Sequence, residues 1–210
     1  MEIHLTDLSK RFNREWIFHE LNYKFLSNKI YAIVGPNGSG KSTLIRIISG
    51  QMPFTSGKIA YSYGGIIISS ESIYREISIA APYMELIEEL TLEEIWKFHF
   101  KFKNGPLIND TDEVIQILGL EKGRGKVIKN YSSGMKQRLK LGLALFSDTN
   151  LLLLDEPTSN LDENGIQMYL KLIENWKSNR TILIGSNQLQ EYQMCDAKLD
   201  ITSFQKGDSK

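Results

Sequence analysis

The sequence is poor in cysteine, in net charge and in long apolar runs. Its single cysteine, Cys195, can close no internal disulfide and build no cysteine-rich metal site, which fits a reducing compartment. The bland role of a small apolar residue near a helix end is expected for it. The 25 basic and 25 acidic side chains cancel, so no long-range field draws the chain to a polyanion, and nucleic acid is not an expected partner. The longest apolar stretches, such as Ile66-Ile67-Ile68 and Leu151-Leu152-Leu153-Leu154, fall far short of the roughly 20 residues that span a bilayer. The opening run Met1-Glu2-Ile3-His4-Leu5-Thr6-Asp7 is acidic and alternating, with no basic segment leading into an apolar one, so no secretory signal is expected. If the chain serves a membrane, it is expected to do so through a partner.

What is present is an ordinary globular composition, with 41% hydrophobic and 24% charged residues in a chain of 210. Disorder, collagen and coiled coil are excluded, and the length suits one domain, or one domain with a small lobe. Alternation from Glu2 to Leu8 and β-branched and aromatic residues from Trp16 to Leu26 predict strands of an antiparallel piece. Ile30-Tyr31-Ala32-Ile33-Val34 is almost wholly apolar, the pattern of a strand buried on both faces. Further short strands are expected at Lys58 to Tyr63, Gly65 to Ser69 and Ile77 to Ala81.

From Thr91 the periodicity turns helical. Thr91 with Glu94 forms a capping-box signature, and Leu92, Ile95, Trp96 and Phe100 share a face. Asn104-Gly105-Pro106 breaks that helix, and Asp110 or Thr111 opens another carrying Val114, Ile117 and Leu118. The aromatic segment Trp96 to Phe102 is expected in the core of this helical insertion. After about Ser147 strands and helices alternate again: strand Leu151 to Asp155, helix Glu163 to Trp176, strand Thr181 to Gly185 and a short helix near Gln190 to Cys195. Such alternation implies a mainly parallel sheet covered by helices. The tail after Phe204 is expected to fray.

Two elements carry chemistry. Gly35, Pro36, Asn37, Gly38, Ser39, Gly40, Lys41 and Ser42 match the phosphate-loop pattern between a buried strand and a helix. The glycines let backbone N–H groups curl round an anion, and the helix N-terminus beyond them adds partial positive charge. Lys41 is expected to reach the β- and γ-phosphates of a nucleoside triphosphate, and the Ser42 hydroxyl to ligate magnesium. The second element, Leu151 to Pro157, is an apolar strand ending in two carboxylates, and ligands of open parallel sheets sit at the carboxyl ends of strands. Asp155 is expected to share the magnesium, and Glu156 to orient and polarise an attacking water.

With these motifs the chain resembles the nucleotide-binding subunit of ATP-binding cassette (ABC) transporters over nearly its whole length. Tyr131-Ser132-Ser133-Gly134-Met135-Lys136-Gln137-Arg138 looks like the family's signature motif, and Ser159-Asn160-Leu161-Asp162 like its D-loop. Phe12 stands where the family stacks an aromatic ring on adenine. The Ser-Ser-Gly-Met variant looks most like exporter-type systems. The resemblance implies an α/β fold: a P-loop NTPase core with a mainly parallel sheet, an antiparallel β subdomain and an inserted helical subdomain. Residues 1–81 and 148–210 would form the core and residues 82–147 the helical part, as a single ABC ATPase domain. It also implies ATP and magnesium as ligands, with Thr43 beside Ser42 in the nucleotide site. Ser132 and the Gly134 N–H would face the γ-phosphate held by a second ATPase subunit in a head-to-tail homo- or heterodimer. An integral membrane permease is the implied partner, holding the chain on the inner face of the membrane. Residues 83–90, with Met84, Leu86 and Ile87, would form a groove for a helix of that permease.

Two departures from the family pattern stand out. The family's glutamine before the helical lobe is missing from Ile79-Ala80-Ala81-Pro82-Tyr83-Met84-Glu85, and the switch histidine is replaced by Asn187. His4, His19 and His99 lie elsewhere in the chain. Asn187 can donate a neutral hydrogen bond but carries no charge. Slowed hydrolysis is therefore expected. Two alternatives remain at this stage: a soluble ABC ATPase acting in DNA repair or on ribosomes, and a cassette that binds ATP as regulatory partner of a catalytic paralogue.

Overall fold

Alternating burial builds the first sheet. Along Glu2–Phe12 (β1), Ile3, Leu5 and Leu8 turn inward while His4 and Thr6 face solvent. β1 pairs antiparallel with Glu15–Phe25 (β2) and with Ser56–Tyr63 (β4), and Ile66–Ile68 (β5) closes the edge, giving the order β2-β1-β4-β5. Register shifts in β1 beside Asp7, whose φ is 49°, bend the ribbon. The computed structural model describes residues 1–103, 105–177 and 179–205. Asn104 of the expected helix break and the tail from residue 206 lie outside the described residues.

The second sheet consists of Ile30–Val34 (β3), Ile77–Ala80 (β6), Leu151–Asp155 (β7), Thr181–Gly185 (β8) and Ala197–Asp200 (β9), in the order β6-β7-β8-β3-β9. β8 pairs parallel with β7 and β3, and β3 parallel with β9. Every residue of β7 and β8 is buried, as the unbroken apolar runs Leu151 to Leu154 and Ile182 to Ile184 require. β9 was not expected: its four residues, Ala-Lys-Leu-Asp, bury only Leu199, too little to stand out as a strand.

Helices are Lys41–Ile48 (α1), Leu92–His99 (α2), Thr111–Leu118 (α3), Ser133–Leu145 (α4), Glu163–Trp176 (α5) and Leu189–Tyr192 (α6). The capping box at α2 is present in full, with Glu94 N–H donating to Thr91 Oγ1 and Thr91 N–H to Glu94 Oε2. The described chain falls into two contact units. Met1–Ile77, Asn150–Asp155 and the described residues from Asn179 onward form the first; Ser78–Thr149 and the described residues from Glu156 onward to 177 form the second.

One expectation about the core is corrected. Trp96 is buried against Phe100 and Phe146, but Phe98 and Phe102 are 43% and 68% exposed and line an open groove. At about 100° per residue Phe98 falls on the face of the helix opposite Trp96, and Phe102 lies beyond the helix end at His99. Cys195 lies just past α6, and burial pushes its thiol up to about 12, which keeps it protonated and unreactive.

Candidate nucleotide site

In the first unit β3 delivers the chain into the glycine-rich turn and α1 takes it out. Leu44, Ile45, Ile47 and Ile48 bury the inner face of α1, and Arg46 in its last turn complements the helix dipole. The other end differs from the helices of the second unit. Thr91, Asp110, Ser132 and Asp162 each cap their helix through a side chain, whereas α1 is preceded by Gly40 with no side-chain cap and has no acidic residue in its first turn. Its leading N–H groups are therefore left for a ligand, and an anion suits them. Gly40 has φ +104°, and a Cβ there would lie 2.5 Å from the Ile17 side chain, so this turn admits only glycine.

Lys41 is 4% exposed, and its ammonium bends back into the loop to donate to the carbonyls of Gly35 (2.8 Å) and Pro36 (3.0 Å). Among the described residues the buried Ser39 hydroxyl has no hydrogen-bond partner. Two residues that the sequence did not point to support the loop from beneath: Ile201 packs against Gly35 and Gly40, and Gln205 Nε2 donates to the Ser39 carbonyl at 3.2 Å. Ser42 and Thr43, both half-buried, occupy the first turn of α1.

Asp155 ends β7 at 1% exposure. A Cβ built on Gly185 would lie 3.0 Å from Asp155 Oδ1 and 2.6 Å from Ile45 Cδ1, so the carboxylate and α1 meet at the bare end of β8. In the turn after β8, Asn187 Nδ2 donates to Asn37 Oδ1 at 2.9 Å, which joins the expected switch position to the phosphate loop. Phe12 is 43% exposed, with the Lys10 ammonium 4.6 Å from its ring centroid and also donating to the Pro53 carbonyl at 2.7 Å. The first unit thus contains Phe12, the whole loop, Lys41, Ser42, Thr43, Asp155 and Asn187.

Glu156, Ser132 and Gly134 belong to the second unit. Glu156 follows Asp155 directly and takes a left-handed backbone with φ 44°, and Asn160 does the same at 63°. The loop they shape is tied to α4. Gln137 Nε2 donates to the Pro157 carbonyl at 2.8 Å, and Arg138 bridges Asp162 Oδ1 (2.8 Å) and the Leu118 carbonyl (3.3 Å). A Cβ on Gly134 would lie 3.0 Å from the Asn160 carbonyl, so a small residue lets helix and loop approach. The Gly165 amide and then Arg138 hold the Asp162 carboxyl below its usual range. Ser132 caps α4 by accepting from Met135 N–H at 3.2 Å, a role that uses a lone pair of the hydroxyl and not its hydrogen.

No glutamine is available at Ala81 to Glu85, and α4 reaches this stretch instead. Lys140 Nζ lies 3.5 Å and 3.3 Å from the carbonyls of Ala81 and Pro82, and Lys136 pairs with Glu88. Burial, followed by repulsion from Lys136, lowers the Lys140 pKa. Beside it opens an apolar groove formed by Met84, Leu86, Ile87, Ile95, Phe98 and Leu143.

His99 also lines this groove, with Nε2 3.0 Å from Ser147 Oγ. Burial, helped by Lys103, pushes it down to about 4 from 6.5. The folded ring resists protonation, so its contribution is intact above pH 6.5 and is lost as pH falls from 6.5 towards 4. The scale of that loss is on the order of 3 kcal/mol. Urea unfolding at pH 7 and pH 4.5 is expected to show a larger acid loss for the wild type than for His99→Gln; equal losses would contradict the assignment.

An anion cradle at an uncapped helix start, with a buried acid at the end of a strand in the same parallel sheet, defines a phosphate-loop nucleoside triphosphatase core. Its family is ABC transporter: that family's model matches residues 18–159, and the chain belongs to it. Over 207 residues it is 31% identical to the uncharacterized ABC transporter ATP-binding protein YybJ of Bacillus subtilis (strain 168), covering 95% of this chain and 92% of that one. It is 32% identical to the lantibiotic transport ATP-binding protein SrtF of Streptococcus pyogenes, covering 90% of this chain and 81% of the relative. Its fold is shared with a dimeric, post-hydrolysis structure of the ATP-binding cassette MJ0796 bound to ADP and Pi, at TM-score 0.80, 19% identity and coverage of 95% and 94%. The chain is an ATP-binding ABC cassette with the ATPase activity of its family. Among the described residues no helix is long and apolar enough to cross a membrane.

Proposed function

We propose that this cassette hydrolyses ATP with magnesium to drive export through a separate integral membrane permease, sitting on the cytoplasmic face through that partner. The observation that carries the reading is the uncapped start of α1, with the Lys41 ammonium folded into the same loop. Triphosphate entry would exchange the Gly35 and Pro36 carbonyls for β- and γ-phosphate oxygens on Lys41, while the loop amides and the Ser39 hydroxyl take the remaining oxygens. The exposed Phe12 ring offers a stacking face for adenine.

The donor set suits magnesium: a hydroxyl from Ser42 and a carboxylate from Asp155 are hard oxygen ligands, and few protein ligands are what this ion takes beside phosphate. When bound, the metal neutralises charge on the phosphate oxygens. Glu156, one peptide link of about 3.8 Å beyond Asp155, is the group that would accept a proton from the attacking water. Asn187 would donate to the γ-phosphate in place of a charged histidine. Ser132 and Gly134 would complete the site from a second cassette, so ATP would close a head-to-tail dimer and hydrolysis would open it.

The helical subdomain, residues 82–147 in this reading, would meet the permease through the groove beside Met84, Leu86 and Ile87. Ile87 and Phe98 are 42% and 43% exposed there, and an apolar helix would cover them. Ile87→Glu with Phe98→Glu is expected to abolish co-purification of a multi-span membrane protein while ATP still binds. Recovery of the same membrane protein by that variant would contradict the docking surface. Measured turnover of the purified chain, with and without the permease, tests the hydrolytic reading: phosphate release supports it, and none in either case contradicts it.

A further inference from the structure

The turn carrying Asn187 is built more firmly than its exposure suggests. The Ser186 amide donates to the Ile33 carbonyl at 3.1 Å, sewing the turn to β3, the strand that feeds the phosphate loop. The buried Ser186 hydroxyl donates to the fully buried Glu191 carboxylate and accepts the Gln188 amide at 2.9 Å. From this base the Asn187 side chain reaches over to Asn37.

A primary amide nitrogen carries two donor hydrogens in one plane. Asn37 Oδ1 takes one of them, so amide planarity fixes the direction of the other. Without that acceptor the terminal torsion of an asparagine is broad, and its donor has no set aim. A donor that stabilises a transition state must be preorganised towards the place where charge develops.

We infer that Asn37 is a positioning residue for ATP hydrolysis: by accepting one amide hydrogen of Asn187 it aims the other at the γ-phosphate. The inference rests on the reading of Asn187 as a γ-phosphate donor and adds a residue that acts only through it. Asn37 is exposed and stands at the tip of the loop between Pro36 and Gly38, so its replacement leaves the packing beneath the loop untouched.

Steady-state hydrolysis of magnesium ATP by the full chain tests this with Asn37→Ala, Asn187→Ala and the double variant, each checked for an unchanged melting temperature. Asn37→Ala is expected to lower kcat about tenfold, the scale of one hydrogen bond, with KM within about twofold. In the Asn187→Ala background the same change is expected to alter kcat less than about twofold, because nothing remains to be aimed. Equal losses in both backgrounds would make Asn37 a structural part of the loop and overturn the inference, as would an unchanged kcat for Asn37→Ala alone. Absence of turnover in the wild type would sink the ATPase mechanism itself; additive losses with turnover intact sink only this positioning role.

Discussion

Glu156→Gln is expected to lower ATP hydrolysis by a factor of about a hundred or more, the scale of one general base, while ATP remains bound. The substitution keeps shape and hydrogen bonding but removes the group that can take a proton. Its backbone gives a reason for a large effect: Glu156 adopts φ 44°, a left-handed conformation uncommon outside glycine and of the kind retained at functional sites. The following segment is held as well, since Gln137 grips the Pro157 carbonyl. Phosphate release would fall, and a species of twice the mass would accumulate with ATP because hydrolysis no longer opens it. Unchanged phosphate release would assign the base to another residue.

Lys41→Met is expected to weaken ATP binding by about 3 kcal/mol, or about a hundredfold in Kd. Two effects act together. The triphosphate loses a charge-assisted partner, and the Gly35 and Pro36 carbonyls lose their donor. Methionine fills the buried stem volume of a side chain only 4% exposed, so the comparison isolates the ammonium from packing. Calorimetric titration reads the result directly; a Kd within a factor of two or three of the wild type would mean that Lys41 does not touch the phosphates.

Much of this site was legible in the sequence because its chemistry is local. The phosphate loop is one continuous segment, and Asp155 and Glu156 announce themselves as acids at the end of an unbroken apolar strand. The parallel sheet followed from Leu151 to Leu154 and Ile182 to Ile184, whose lack of alternation allows only a strand covered on both faces. The supports that act at long range were not legible. Ile201 and Gln205 meet the loop only because β9 returns the chain to the edge of β3, and β9 itself is too short and too mixed to read. Likewise Asn37 and Asn187 stand 150 residues apart, and nothing in either local pattern pairs them. The aromatic run in α2 misled for the opposite reason: apolar side chains at helical spacing resemble core, yet Phe98 and Phe102 line a groove that the chain itself leaves open.

The two stretches expected from the sequence to depart from the family pattern each have ties within their own unit. Lys140 and Lys136 of α4 hold the stretch from Ala81 to Glu88. At the position proposed for the switch, the Asn187 amide donates to Asn37. A neutral amide does not titrate, so it adds no proton-dependent step near neutral pH of the kind an imidazole brings.

The crystal structure of Glu156→Gln with ATP and magnesium is the most direct test of the central claim. The account predicts phosphates in the Gly35 to Gly40 loop on the Lys41 ammonium, the metal between Ser42 and Asp155, and Ser132 of a second copy facing the γ-phosphate. Nucleotide bound away from that loop, or a metal that touches neither Ser42 nor Asp155, would contradict it.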